Sequence, residues 1–166
     1  MNDQVKKILS DVAVKTLEDL AFIFSFPEEE GDDIPVDSSV AVSVSFSGPF
    51  SGTLVIRISN QVLPELTANM LGVEEEETTI DQKNDALKET INVICGNLLP
   101  AIAGKEALFN INTPCIISDG ESEIEEDGAK TDYVARLSID DDQCDLFLFI
   151  DGKIPSSITQ EVREND

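Results

Sequence analysis

The chain has 166 residues, enough for one domain with a real core, and 41% of them are apolar, too many for a chain disordered by composition. Its 34 acidic residues outnumber 11 basic ones for a net charge of −23, a field that repels nucleic acid and anionic membrane surfaces, so a protein is the partner easiest to reconcile with it. There is no histidine, which removes the usual Cys/His zinc and Cys–His nucleophile arrangements, and the cysteines Cys95, Cys115 and Cys144 form no CxxC pair.

The start, MNDQVKKILSD, lacks the apolar core and cleavage site of a signal peptide. No run approaches the roughly 18 apolar residues that span a bilayer. Three scattered cysteines in apolar runs read as buried, reduced thiols, and the expected location is the cytoplasm. From 5 to 24, Ile8, Val12, Leu17, Leu20 and Phe24 recur at mostly helical intervals, which predicts a first helix. The acidic stretch PEEEGDD, 27–33, then reads as a solvated loop. In VAVSVSFSGPFSGTLVIRI, Val40, Val42, Val44 and Phe46 alternate with small residues, as do Leu54, Ile56 and Ile58 after the turn at Gly48, Pro49 and Gly52. That period of two predicts a hairpin.

Residues 60–71 read as a short helix ending at Gly72, a residue suited to a left-handed cap. A long central helix follows over roughly 79–104, with Pro100 expected to kink it or end its regular part. The chain then returns to strands at 107–117, 132–139 and 144–150, with an acidic loop at about 118–130 and a tail or short helix at 155–166. Strands separated by helices predict one α+β domain over 1–166, an antiparallel sheet packed against long helices.

The central helix carries two faces. At about 100° per residue, Leu87, Ile91, Ile94, Leu98 and Ile102 form one stripe, while Asp85, Glu89, Asn92 and Gly96 gather nearly opposite. Glu89 and Asn92 stand three apart, so their side chains can reach one target together. Gly96 costs the helix about 1 kcal/mol relative to alanine, which suggests that something approaches the backbone there. An E-x-x-N spacing is also common on the wet face of an acidic helix, and a glycine can equally relieve crowding against another segment.

Asp85-x-x-x-Glu89-x-x-Asn92, followed by GNLLPAI and by Pro114 ahead of a strand, resembles the signature of the CheC/CheX/FliY chemotaxis phosphatases. That signature is an Asp or Ser, then E-x-x-N on a long helix, with a proline some two dozen residues on. The matching context includes TLEDLAF in the first helix, the FSGPFSGTLVI hairpin and the helix ending ANMLG. The resemblance implies a CheC/CheX-like two-layer sandwich and hydrolysis of the aspartyl phosphate of a CheY-like response regulator. It implies that Glu89 binds the regulator's lysine and that Asn92 orients the attacking water. Asp85 matches the motif's first position and supports the helix or the docking contact; Pro114 shapes the strand entry. The chain itself is expected to bind no cofactor, and Mg²⁺ belongs on the partner receiver. Glu18 is followed three residues later by Ala21, so the second E-x-x-N of CheC-type members is missing. One site per chain resembles the CheX type, a homodimer with exchanged strands in that family, an interface that the apolar CDLFLFI segment can serve as well as a buried strand can.

The chemistry is sound on independent grounds. Phosphoryl transfer through a loose transition state needs positioning and charge neutralisation more than a strong base, and an amide can orient water. A carboxylate beside a phosphoryl group pairs naturally with a lysine. The rival reading is a non-catalytic receiver-binding module, like the related flagellar-switch domains, which would not need an intact Glu89/Asn92 pair. A third would place calcium among Asp140, Asp141, Asp142 and Asp145, although the D-x-[DN]-x-[DN]-G spacing is absent and a turn explains the run.

Overall fold

The computed structural model describes residues 2–29, 31–117 and 133–155. Helix α1 (Asn2–Ala21) buries Val5, Leu9, Ala13, Leu17 and Ala21, an i,i+4 stripe with each residue at most 1% exposed. This differs from the stripe expected above: Ile8, Val12 and Leu20 are half-buried, and Phe24 lies beyond the helix at 65% exposure. Alanines at 13 and 21 let the helix seat closely, and small residues leave little trace in a hydrophobic pattern. The chain turns at Phe22, whose φ of 54° is left-handed. The expected loop at 27–33 yields part of its length to β1 (Phe26–Glu28), a three-residue edge strand with every residue exposed. Nothing in its polar composition announces a strand.

The predicted hairpin is present as β2 (Ser39–Ser47) and β3 (Ser51–Ser59), in a register that sets Val40, Val42 and Val44 opposite Ile58, Ile56 and Leu54. Helix α2 (Leu63–Leu71) ends where Gly72 adopts φ 72°, and the Gly72 and Val73 N–H groups both donate to the Ala68 carbonyl. A reciprocal capping box starts α3 (Ile80–Ala103): the Gln82 N–H donates to the Thr79 hydroxyl at 3.1 Å, and the Thr79 N–H donates to the Gln82 side chain at 3.0 Å. Pro100 does not end the helix, which runs on to Ala103, with the Gly104 N–H donating to the Pro100 carbonyl.

The strand expected over 107–117 is two short pieces, β4 (Asn110–Ile111) and β5 (Cys115–Ile116), both paired with β2. Ile111 faces Phe46 and Cys115 faces Ser43, so three residues on one side oppose two on the other. Pro114 sits in this bulge, where its missing N–H costs no ladder bond. With strands β6 (Tyr133–Ile139) and β7 (Asp142–Asp151), the described residues form an antiparallel sheet of seven strands, with the path β1-β6-β7-β3-β2-β4 and β5 also on β2. Both edges of β7 are paired within the chain, so burial accounts for its apolar run.

One face of the sheet, including Val42, Leu54, Ile56, Leu137 and Leu146, packs against α1 and α3, and α2 packs on those two helices. The expected α+β arrangement of sheet against long helices is therefore the one observed. The acidic loop at about 118–130 and the tail beyond Pro155 lie outside the described residues. Among the described residues, no helix is long and apolar enough to cross a membrane.

Candidate functional site

The capping box and the buried stripe together set how α3 is rotated. Leu87, Ile91, Ile94 and Leu98 are 0% exposed and Ile102 1%, all within the core. Thr90 is also fully buried, and its hydroxyl donates to the Ala86 carbonyl one turn back at 2.8 Å, with the Met70 sulfur of α2 a second acceptor at 3.6 Å. Contacts with α1, α2 and the sheet leave one side of the helix uncovered. On that side stand Asp85, Glu89, Asn92 and Gly96, all four exposed. The structure thus brings together every site residue expected from the sequence.

None of the side chains of Asp85, Glu89 and Asn92 is engaged in a hydrogen bond or ion pair among the described residues. Gly96 is more informative still. A Cβ built there would meet nothing within 4 Å, whereas one at Gly52 would collide with the Phe149 carbonyl. The fold demands glycine at 52 and makes no such demand at 96. Crowding within the described residues is therefore not the reason for Gly96.

Beside the row, α1 and α3 enclose a groove of about 450 Å³ lined by Val12, Lys15, Thr16, Asp19 and Leu20 on one helix and by Val93 and Asn97 on the other. Sequence reasoning missed it, because only the packing of α1 on α3 brings these residues together. In α1, Glu18 is exposed but Ala21 is 0% exposed, so the place where a second asparagine would stand faces the core.

The remaining reactive groups lie elsewhere. Burial pushes the Cys95 thiol up to about 12, so it holds its proton and cannot serve as a thiolate. Cys144 is also buried, and its thiol is raised first by burial and then by the charge of Asp145. Cys115 corrects the expectation of three buried thiols, because it is exposed on β5. Asp145 is 0% exposed; Arg136 donates to it at 2.9 Å and Gln143 at 2.8 Å. Burial raises its carboxyl above the ordinary range, and the bonds from Gln143 and Arg136 offset part of that. It alternates along β7 with helix-facing Cys144 and Leu146 and so belongs to the far side of the sheet. Asp140 has φ 54° in the turn between β6 and β7, and Asp142 accepts from Ser59. Among the described residues, no three His, Cys, Asp or Glu side chains converge on a metal position.

Comparison with known proteins agrees with this geometry. The family described as "Chemotaxis phosphatase CheX" matches residues 40–138, more than half of the chain. A chemotaxis protein CheX from Vibrio vulnificus superposes with a TM-score of 0.70 at 15% identity, covering 91% of this chain and 99% of its own. CheX from Desulfovibrio desulfuricans gives 0.67 at 16% identity, covering 89% and 99%. The CheX–CheY–BeF₃–Mg complex from Borrelia burgdorferi gives 0.64 at 18% identity, covering 87% and 96%. No curated protein matches the chain at a comparable level. With the family matched across the hairpin, α3 and its exposed row, the chain belongs to the CheX family of chemotaxis phosphatases.

Proposed function

We propose that this chain removes the phosphoryl group from the aspartate of a CheY-like response regulator, with Glu89 and Asn92 as its working side chains. Glu89 pairs with the lysine of the receiver's active site, which fixes the two proteins in register. Asn92 enters the receiver's pocket and holds a water in line with the acyl phosphate. The water oxygen bonds to phosphorus as the bond from phosphorus to the aspartyl oxygen breaks, leaving a free carboxylate and inorganic phosphate. Neither residue acts as a strong base, and a loose transition state asks for none. Mg²⁺ is expected on the receiver, where it neutralises phosphoryl charge. Asp85 supports the docking contact one turn before Glu89.

The observation that carries this reading is Gly96. An exposed helical glycine that costs about 1 kcal/mol, with open space where its Cβ would lie, is not explained by the described residues, and a docked partner would explain it. It lies in the same row as an acid and an amide that are unengaged among the described residues. A partner's backbone seated against Gly96 would bring Glu89 and Asn92 to bear on one pocket. The single site per chain fits a homodimer, and the substrate fits a cytoplasmic protein.

The test is to follow loss of phosphate from a phosphorylated CheY-like receiver with and without the protein. Catalytic amounts should shorten the receiver's phosphorylated lifetime at least about tenfold. An unchanged lifetime across candidate receivers, with binding retained, would favour a non-catalytic module.

A further inference from the structure

A chain with a net charge of −23 has to approach a receiver pocket that is itself acidic, and Glu89, which answers the receiver's lysine, leaves the carboxylates of that pocket unanswered. Long-range repulsion of this kind slows encounter and weakens binding unless local cations reverse it. Four cations of the described residues are committed elsewhere. Arg136 is held by Asp33 and Asp145. Arg57 is buried at 6% exposure and donates to Ser39. On α1, Lys7 pairs with Asp11 and Lys15 with Asp19.

Lys88 is different. It lies one turn before Asn92 and immediately before Glu89, which puts it about 40° from Asn92 around the helix. The residue is half-buried, so part of its long side chain is covered by neighbours. Asp85 stands three residues earlier, at a spacing that permits an ion pair, yet Lys88 pairs with no carboxylate of the described residues.

We propose that Lys88 is the docking cation of this surface: its ammonium meets the acidic rim of the receiver's phosphorylation pocket and selects receivers that carry carboxylates there. The proposal rests on the phosphatase reading above. Lys88 is a positioning residue, since Asn92 and Glu89 reach the reacting centre and Lys88 meets the rim beside it. A cation acting on encounter changes KM and the dependence on salt, and leaves turnover of the bound complex alone.

The experiment measures receiver dephosphorylation by the wild type, Lys88→Ala, Lys88→Arg, Lys88→Glu and Lys105→Ala over a series of NaCl concentrations. Lys105 follows the end of α3, so its variant removes one charge from the same chain away from the row. Lys88→Ala should raise KM about fivefold with kcat unchanged and should flatten the fall of kcat/KM with salt. Lys88→Arg should stay near the wild type, Lys88→Glu should be worse than Lys88→Ala, and Lys105→Ala should change kcat/KM less than about twofold. Equal KM and salt dependence in Lys88→Ala and the wild type would overturn the proposal. So would a loss no larger than that of Lys105→Ala, or a loss in kcat alone. Calorimetric binding to a beryllofluoride-loaded receiver separates the two ideas. If the wild type binds but does not accelerate dephosphorylation, the phosphatase reading fails while Lys88 is still judged by affinity. Equal affinities for wild type and Lys88→Ala sink Lys88 alone, and no binding at all sinks both.

Discussion

Helices α1 and α3 belong to one layer and pack against each other and the same sheet, yet their exposed sides are built differently. On α1 four of the outer charges pair along the helix, Lys7 with Asp11 at 2.7 Å and Lys15 with Asp19 at 3.3 Å, while Asp3, Lys6 and Glu18 stand exposed to water. That is how a solvated face looks when it answers only to water and its own helix. On α3 the row Asp85, Glu89, Asn92 and Gly96 satisfies nothing within the described residues and includes a glycine that no neighbour requires. The contrast thus distinguishes the two exposed faces by a glycine, and the row on α3 is the one proposed above to meet a partner. It also shows why α1 cannot be a second site, since its candidate position, Ala21, is part of the core.

The contrast can be broken by substitution. The largest effect on the fold is expected from Ala21→Asn, which would restore the missing motif in α1. It buries an amide and extra volume where exposure is 0%, so thermal or urea unfolding should show a loss of about 2–4 kcal/mol, without any gain in phosphatase rate. Gly96→Ala should do the reverse on α3. Removing a helical glycine with open space around it should stabilise the fold by about 1 kcal/mol, while receiver dephosphorylation falls about tenfold because the added methyl meets the partner. Stabilisation with full activity would show that Gly96 touches nothing. The smallest effect belongs to Lys15→Ala, which breaks an exposed pair and should change unfolding free energy by less than about 0.5 kcal/mol.

Much of this arrangement is legible in the residues themselves. The alternation through Val40, Val42, Val44 and Phe46 and the cap at Gly72 appear in the structure where they were expected, because each depends on local chemistry. The long stripe from Leu87 to Ile102 likewise predicts which side of α3 is buried, and so which side holds Glu89 and Asn92. What escaped depends on neighbours. The true seat of α1 uses alanines, whose small side chains register weakly in any apolar pattern. Strand β1 exists only because β6 pairs with it, and the bulge at Pro114 exists only in register with β2. The row could be read from spacing; the emptiness around Gly96 and the groove beside Val93 could not, since both record where other elements stop.

The most direct measurement is the single-turnover loss of phosphoryl from a CheY-like receiver saturated with either the wild type or Asn92→Ala. Asn92 is exposed and engages nothing among the described residues, so the variant should unfold at the wild-type midpoint and still bind a beryllofluoride-loaded receiver. Its expected rate is that of the receiver alone, at least about 100-fold below a fully engaged amide's contribution. A variant that dephosphorylates the receiver as fast as the wild type would contradict the assignment of the exposed row on α3 to that chemistry.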